Sequence, residues 1–325
     1  MCAMCAAATA LRPITRFCSQ LSTMLQYIPT LAVRRRGMSS SIDRNRLFRD
    51  TEAQFPERWR KDGWYLSTTA ALIASGQPEL IGSLYNYIIS QPSYQTSVDR
   101  QRLVRRMREA MIKCIILNGI PVVMEAFVSL AKQEKPEDQD HSFTRKDWKA
   151  DEANHQRGLF VLETLYGEDN DRIWASFGSR KDIPRLSIDI SYDLFLADHN
   201  TLDIVESELV ILPAIMCQGL TNSTKWHLRG CLQVGLTRDE VECIKQAIER
   251  IAETCGKKLK GLLRVSDIPT DEMRRTRKVK GALKVFGNML VYKLSRTCTR
   301  SGDKASSRCS SSMCLKVWDG AKLLD

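Results

Sequence analysis

The chain has 325 residues, of which 43% are hydrophobic and 27% are charged. These proportions are ordinary for a globular protein that can bury one or two cores. No apolar run reaches the ~18 residues that a membrane-spanning helix needs. The formal net charge of +11 raises the question of a nucleic-acid partner, which depends on where the charge lies.

The basic residues lie at the two ends of the chain. The first 38 residues contain five arginines and no acid, and residues 274–292 contain six basic residues and no acid. The segment between them is mildly acidic. Because a nucleic-acid-binding domain usually has a basic face on its folded part, we expect no nucleic-acid partner.

Residues 1–42 contain no Asp or Glu and are rich in Arg, Ser, Thr and Leu, which is typical of an organellar transit peptide. Within them, Arg36-Gly37-Met38-Ser39-Ser40 is similar to a mitochondrial processing site. The sequence therefore predicts a mitochondrial transit peptide. The alternative is a basic tail without an address, on a cytoplasmic or peroxisomal protein.

The eleven cysteines do not indicate a disulfide framework. Six lie near the ends, where Cys2 and Cys5 form a Cys-x-x-Cys without the strand–helix context of a redox motif. The other five are isolated on apolar helical faces and are predicted to be reduced, buried small hydrophobes. No His/Cys group has the spacing of a zinc site, so we expect neither a metal nor a cofactor.

Residues 43–270 are predicted to be a helical domain. Residues 43–66 are charged and aromatic and are expected to form a leading helix or arm. From Ser67 onward the helical periodicity is clear, and glycines and prolines interrupt it. The predicted helices are 68–75, one that begins at Pro78, a long one capped by Ser97 or Asp99 and ended by Gly119, one from Pro121 to Ala131, and, after a polar loop at 133–148, one from 150 to 166.

Three further helices follow, each with a candidate cap at its start. No strand pattern is present, so the predicted class is all-α with eight or nine helices. The first of the three carries Glu208 and is capped by Asn200 or Thr201, the second carries His227 and is capped by Asn222 or Ser223, and the third begins with the capping box Thr237–Glu240 and ends at Cys255.

The order helix, glycine, helix occurs twice in the chain. It first surrounds Glu109 and recurs about 100 residues later around Glu208, which suggests two related helix-pair units. Residues 271–325 form a basic, Ser/Cys-rich tail that is predicted to be disordered. Within it, residues 274–294 have the pattern of a basic amphipathic helix that contacts an anionic membrane; a solvated helix is the alternative.

Glu208 and His227 are the candidate catalytic residues. Glu208 lies in an otherwise apolar helix, where a carboxyl group must be paired. A short loop leads to the helix of His227, so we expect the two helices to pack antiparallel and bring the side chains together. Such a pair can transfer a proton, because imidazole titrates near neutrality and the carboxylate fixes its tautomer. The alternative is a structural hydrogen bond sealed in the core.

Three segments together resemble the carboxymuconolactone decarboxylase family, which includes the alkylhydroperoxidase D-like (AhpD-like) proteins. They are Glu208-Leu209-Val210, then Trp226–Gly230, and then Gly235–Val241. Two earlier runs, ALIASGQPELIGSLYNYI and REAMIKCIILNGIPVVMEA, are similar to the fungal branch of that family. The resemblance covers roughly residues 65–265 and implies an AhpD-like helical bundle that assembles into homotrimers or hexamers.

In the redox branch of this family a glutamate precedes a Cys-x-x-Cys by twelve residues, and a histidine follows it by four. Glu208 and His227 match the acid and the histidine, but Leu220 and Ser223 occupy the two cysteine positions. A dithiol–disulfide cycle needs two thiols within bridging reach. The missing pair therefore argues against peroxide reduction.

The decarboxylase branch lacks the redox dithiol, and the resemblance to it implies acid/base chemistry on a small carboxylate or lactone, either decarboxylation or isomerisation. His227 would transfer the proton and Glu208 would orient it. Lys113, Ser223 and Arg229 are candidate substrate-binding residues. Peroxidase-type antioxidant activity and a non-catalytic oligomeric homologue are the alternatives.

Overall fold

A computed structural model describes residues 43–167 and 169–269. The predicted transit peptide, the whole basic tail and the expected membrane contact at 274–294 lie outside these ranges. Among the described helices, none combines the length and the apolar character required to cross a membrane.

The described residues form twelve α-helices and no strand, which confirms the all-α prediction and exceeds the predicted number of helices. A π-helix over Ser187–Leu196 adds a wider-turned segment. The α-helices are α1 (Arg44–Gln54), α2 (Glu57–Arg60), α3 (Trp64–Ala74), α4 (Ile81–Ile89), α5 (Ser97–Asn118), α6 (Ile120–Ala131), α7 (Glu152–Tyr166), α8 (Asp169–Ala175), α9 (Asp182–Leu186), α10 (Ile204–Met216), α11 (Thr221–Gln233) and α12 (Arg238–Thr254).

Helix α3 lies at the centre of the core. All eleven of its residues are buried, which is possible because the helix contains no charged side chain. It packs most extensively against α10 and also contacts α5 and α12. The hydroxyl of Ser67 donates to the carbonyl of Leu209 over 2.6 Å. This bond satisfies the serine where the two most buried helices meet.

Several helix boundaries follow the sequence signals. The capping box of α12 is present, with Thr237 and Glu240 each accepting a hydrogen bond from the other's backbone N–H. Gly119 ends α5 with a φ of 94°, and Gly167 ends α7 with a φ of 53°. These positive φ values favour glycine because a Cβ would be strained there.

Other caps lie at different residues from those predicted. Helix α10 is capped by Asp203, which forms a second capping box with Glu206, so Asn200 and Thr201 precede the helix. Helix α11 begins at Thr221 after Leu220, without a side-chain cap. An acid placed three residues before a glutamate satisfies two backbone donors at once, which explains why the later residue caps α10.

The two predicted helix pairs are both present, α5 with α6 and α10 with α11. Each contains a fully buried glutamate, Glu109 in the first pair and Glu208 in the second. Their partners differ, since Glu109 contacts Arg145 and Lys113 whereas Glu208 contacts His227. The histidine pairing therefore belongs to the second helix pair.

Candidate active site

Glu208 and His227 meet between α10 and α11. The Nδ1 of His227 lies 2.9 Å from the Oε2 of Glu208, and the side chains are only 3% and 1% exposed. Gly230, one turn after the histidine, lies close to the pair and to Leu165, because a Cβ there would lie 3.4 Å from the same oxygen and 3.1 Å from the Cδ2 of Leu165. The structure thus brings together the two residues that were predicted to form the catalytic pair.

Two tyrosines extend this pair. The hydroxyl of Tyr166, the last residue of α7, lies 3.1 Å from the Nε2 of His227. It also lies 2.6 Å from the hydroxyl of Tyr192 in the π-helix. The result is one hydrogen-bonded chain in the order Glu208, His227, Tyr166, Tyr192, which we call the proton chain. Neither tyrosine lies in a motif, so no sequence pattern pointed to them.

An ionised Glu208 fixes the direction of every hydrogen bond in the proton chain. The carboxylate accepts, so the Nδ1 of a neutral His227 must carry the hydrogen and its Nε2 must accept. Tyr166 then donates to Nε2 and accepts from Tyr192. Each hydroxyl donates once, so every hydrogen bond of the proton chain has one donor and one acceptor.

Tyr166 is the least buried residue of the proton chain. Glu208 and His227 are sealed, whereas Tyr166 is half-buried and its ring packs edge-on against half-buried Trp226. Burial raises the pKa of Tyr166 above its usual value, so its phenol stays protonated at physiological pH. Of the four groups, Tyr166 is therefore the one placed to exchange a proton with a molecule outside the proton chain.

One carboxylate oxygen of the pair is unused. The Oε1 of Glu208 is buried and has no hydrogen-bond partner among the described residues. Buried polar atoms are normally paired. A carboxylate that served only as a core hydrogen-bond acceptor would be expected to have both oxygens satisfied.

Lys113, a predicted substrate-binding residue, lies in a separate buried cluster. Its ammonium is fully buried and lies 3.6 Å from the Oε1 of Glu109. Burial lowers the pKa of Lys113 to about 8. Because the amine of Lys113 is buried and occupied by groups of the protein itself, it is poorly placed to contact a substrate. The ammonium also donates to three backbone carbonyls at the end of the π-helix, those of Phe195, Leu196 and Asp198.

Arg145 completes this cluster from the loop before α7. Its guanidinium lies 2.5 Å from the Oε1 of Glu109 and 2.9 Å from the Oδ2 of Asp198. The ring of Trp148 stacks beneath it at 5.1 Å. The predicted polar loop is therefore tied to the core by a buried ionic cluster, which a pattern of polar residues does not reveal.

The other two predicted substrate-binding residues lie on α11. Ser223 is half-buried and precedes His227 by one turn, so the two share a face of the helix. Arg229 contacts Asp169 at the start of α8, over 2.5 Å. Of the three candidates, Ser223 is the one that the helix positions beside the pair.

The five described cysteines form no disulfide with one another. Cys243 is half-buried and the other four are buried. Burial raises the pKa of Cys217 to about 12 and that of Cys255 to about 11. A thiolate is the nucleophile in redox exchange, so these thiols are poorly suited to that chemistry.

Comparison with known proteins gives two distant relatives. No family model matches the chain, and no solved structure matches it. The chain is 26% identical over 157 residues to Peroxisomal protein 2 of Schizosaccharomyces pombe, covering 48% of this chain and 73% of the relative. It is 21% identical over 254 residues to Peroxisomal protein 2 of Saccharomyces cerevisiae, covering 60% and 89%. The shared name fits the peroxisomal alternative and gives no support to the mitochondrial prediction.

Proposed function

We propose that this protein is an acid/base enzyme of the decarboxylase or isomerase type, acting on a small carboxylate or lactone at the proton chain. The observation that carries the proposal is the continuous hydrogen bonding from sealed Glu208 to half-buried Tyr166. The unused oxygen of Glu208 adds support, because it leaves the carboxylate able to change its bonding during proton transfer.

In a decarboxylation, the bond between the substrate carbon and its carboxylate breaks, carbon dioxide leaves, and the electron pair stays on the substrate as an enolate. In the reacting state the proton chain carries one more proton, so that His227 is an imidazolium stabilised by Glu208 and its Nε2–H donates to Tyr166. Tyr166 then gives its own proton to that carbon and takes the proton of Nε2. A proton from solvent restores the imidazolium through Tyr166. The net reaction consumes one proton from solvent. An isomerisation uses the same groups without loss of carbon dioxide.

Ser223 is the proposed substrate contact within α11. It lies one turn before His227 and is half-buried, so its hydroxyl can bind a carboxylate or carbonyl oxygen near the tyrosine end. No cofactor is needed for this chemistry. The buried thiols give no support to the peroxidase alternative, because their pKa values lie far above neutrality.

A non-catalytic homologue is the second candidate, and the sealing of the pair favours it. Glu208 and His227 are only 1% and 3% exposed, which is also the burial expected of a purely structural hydrogen bond in the core. The two candidates differ in what Tyr166 does, because only the enzyme needs its hydroxyl for turnover.

The test uses the full chain with a panel of carboxylated lactones and small keto acids. Proton uptake is followed with a pH indicator and product formation by chromatography. We expect Tyr166→Phe and His227→Gln to lower the turnover by about 10²- to 10⁴-fold, the usual contribution of a positioned acid or base. Tyr87→Phe is the matched control, since its hydroxyl bonds to Glu52. Absence of turnover across the panel, or its survival in His227→Gln, would favour the second candidate.

We also propose a peroxisomal location and a homo-oligomer. The relatives' name supports the first. An exposed apolar stripe on α6, formed by Ile120, Met124 and Val128 at four-residue spacing, supports the second, since monomers seldom expose contiguous apolar surface. Fluorescent fusions of the chain with and without residues 1–42 test the location. Light scattering of the wild type and of Met124→Glu tests the assembly.

A further inference from the structure

The π-helix carries a second group of side chains that the proton chain does not use. Asp189 and Asp193 lie four residues apart on this segment, and both face His155 in the first turn of α7. π-helical turns are rare and are often found at functional sites. The three side chains form what we call the His–Asp cluster.

The donor atoms of the His–Asp cluster converge on a small volume. The Nδ1 of His155 lies 2.9 Å from the Oδ2 of Asp193 and 3.3 Å from the Oδ1 of Asp189. One atom from each residue lies within 4.8 Å of the others. Neighbouring ligands of an octahedral ion with bonds of about 2.1 Å are separated by about 3 Å. Two of the observed separations therefore match those expected around one ion.

Asp193 is built into this position. Its side chain is 4% exposed, and its Oδ1 is buried with no hydrogen-bond partner among the described residues. That oxygen lies against Gly158, where a Cβ would come within 1.7 Å of it. The glycine thus leaves room for the carboxylate, whose Oδ1 lies against α7 while its Oδ2 faces His155.

The opposite side of the cluster is open. The side chains of His155 and Asp189 are 35% and 39% exposed, so water can complete the coordination of an ion. Asp189 presents its Oδ1 to His155, while its Oδ2 pairs with the guanidinium of Arg185 over 3.3 Å. One oxygen of each aspartate therefore faces the imidazole.

We propose that His155, Asp189 and Asp193 form a binding site for a divalent first-row transition-metal ion. One imidazole and two carboxylates suit manganese, iron or zinc better than calcium, which prefers oxygen ligands alone. The site lies outside the proton chain and does not depend on the proposed reaction. It also departs from the sequence-based expectation of no metal. His155 lies 34 residues before Asp189, so the ligands meet only through the packing of α7 on the π-helix.

The experiment titrates MnCl₂ into the full, EDTA-treated chain and measures free Mn²⁺ by electron paramagnetic resonance. Manganese is chosen because thiolates bind it poorly, so the cysteines near the chain ends do not compete. We expect one Mn²⁺ per chain. The variants His155→Gln and Asp189→Asn, both at half-exposed positions, should weaken binding at least about tenfold, as even supporting residues do in metal sites.

Asp182→Asn is the matched control, because Asp182 is an exposed acid of the neighbouring helix α9. It should bind Mn²⁺ like the wild type. A second measurement is the unfolding midpoint, which Mn²⁺ should raise in the wild type and the control but not in Asp189→Asn. The proposal would be overturned if the wild type did not bind Mn²⁺, or if His155→Gln and Asp189→Asn bound it as tightly as the wild type.

Discussion

Replacing Tyr166 with phenylalanine is the most informative perturbation of the proton chain. It removes one hydroxyl and with it two hydrogen bonds, to His227 over 3.1 Å and to Tyr192 over 2.6 Å. Each such bond contributes about 0.5–1.5 kcal/mol net. We therefore expect Tyr166→Phe to lower the free energy of unfolding by about 1–3 kcal/mol.

The assay is urea denaturation of Tyr166→Phe, Tyr192→Phe and the double variant. Tyr192→Phe removes only the bond between the tyrosines, so it should lower the free energy by about 1 kcal/mol. The double variant removes no bond that Tyr166→Phe has not already removed. Its loss should therefore equal that of Tyr166→Phe within about 0.5 kcal/mol, which is the additivity error of such measurements.

Tyr87→Phe provides the control for this cycle, because its hydroxyl bonds to Glu52 in a different part of the molecule. Its effect should add to that of Tyr166→Phe. Additive losses in the Tyr166/Tyr192 pair, or a loss below about 0.5 kcal/mol for Tyr166→Phe, would refute the proton chain as described.

Four further predictions concern pH, packing and helix capping. Burial lowers the pKa of Lys113 from 10.5 to about 8, so the unfolded chain binds more protons between these values and the free energy of unfolding should rise from pH 8 to 10; urea denaturation should show the rise in the wild type and less of it in Lys113→Met. Burial lowers the pKa of His199 from 6.5 to about 3, so stability should fall as the pH drops below 6.5, and His199→Gln should reduce that fall; an unchanged acid profile would contradict the burial of a neutral imidazole. Gly158→Ala places a Cβ 1.7 Å from Asp193 and should cost about 1–3 kcal/mol by overpacking, measured by thermal unfolding; a gain in stability would mean that the carboxylate lies elsewhere. Thr237→Ala removes the cap of α12 and should cost about 1 kcal/mol, whereas Thr254→Ala at the other end of the helix should cost less.

Local sequence signals are enough to predict the helical class and much of the helix order. Apolar periodicity, glycines with positive φ and the capping box of α12 are local signals, because each depends on residues within one or two turns. The Glu208–His227 pair could also be predicted from the sequence. Its helices are joined by a loop too short to let the two side chains separate widely.

The surroundings of that pair depend on how distant elements pack together. Tyr166 ends one helix and Tyr192 lies in a π-helix that no sequence pattern indicated, so their meeting with His227 depends on how three distant elements pack. Lys113 shows the same dependence, because an exposed and a buried lysine look alike in a sequence. Its neighbour Glu109 lies one turn earlier in the same helix, but Arg145 and Asp198 come from elements far along the chain. Charges become paired or exposed only when packing removes them from water, and that step is not encoded in any local pattern.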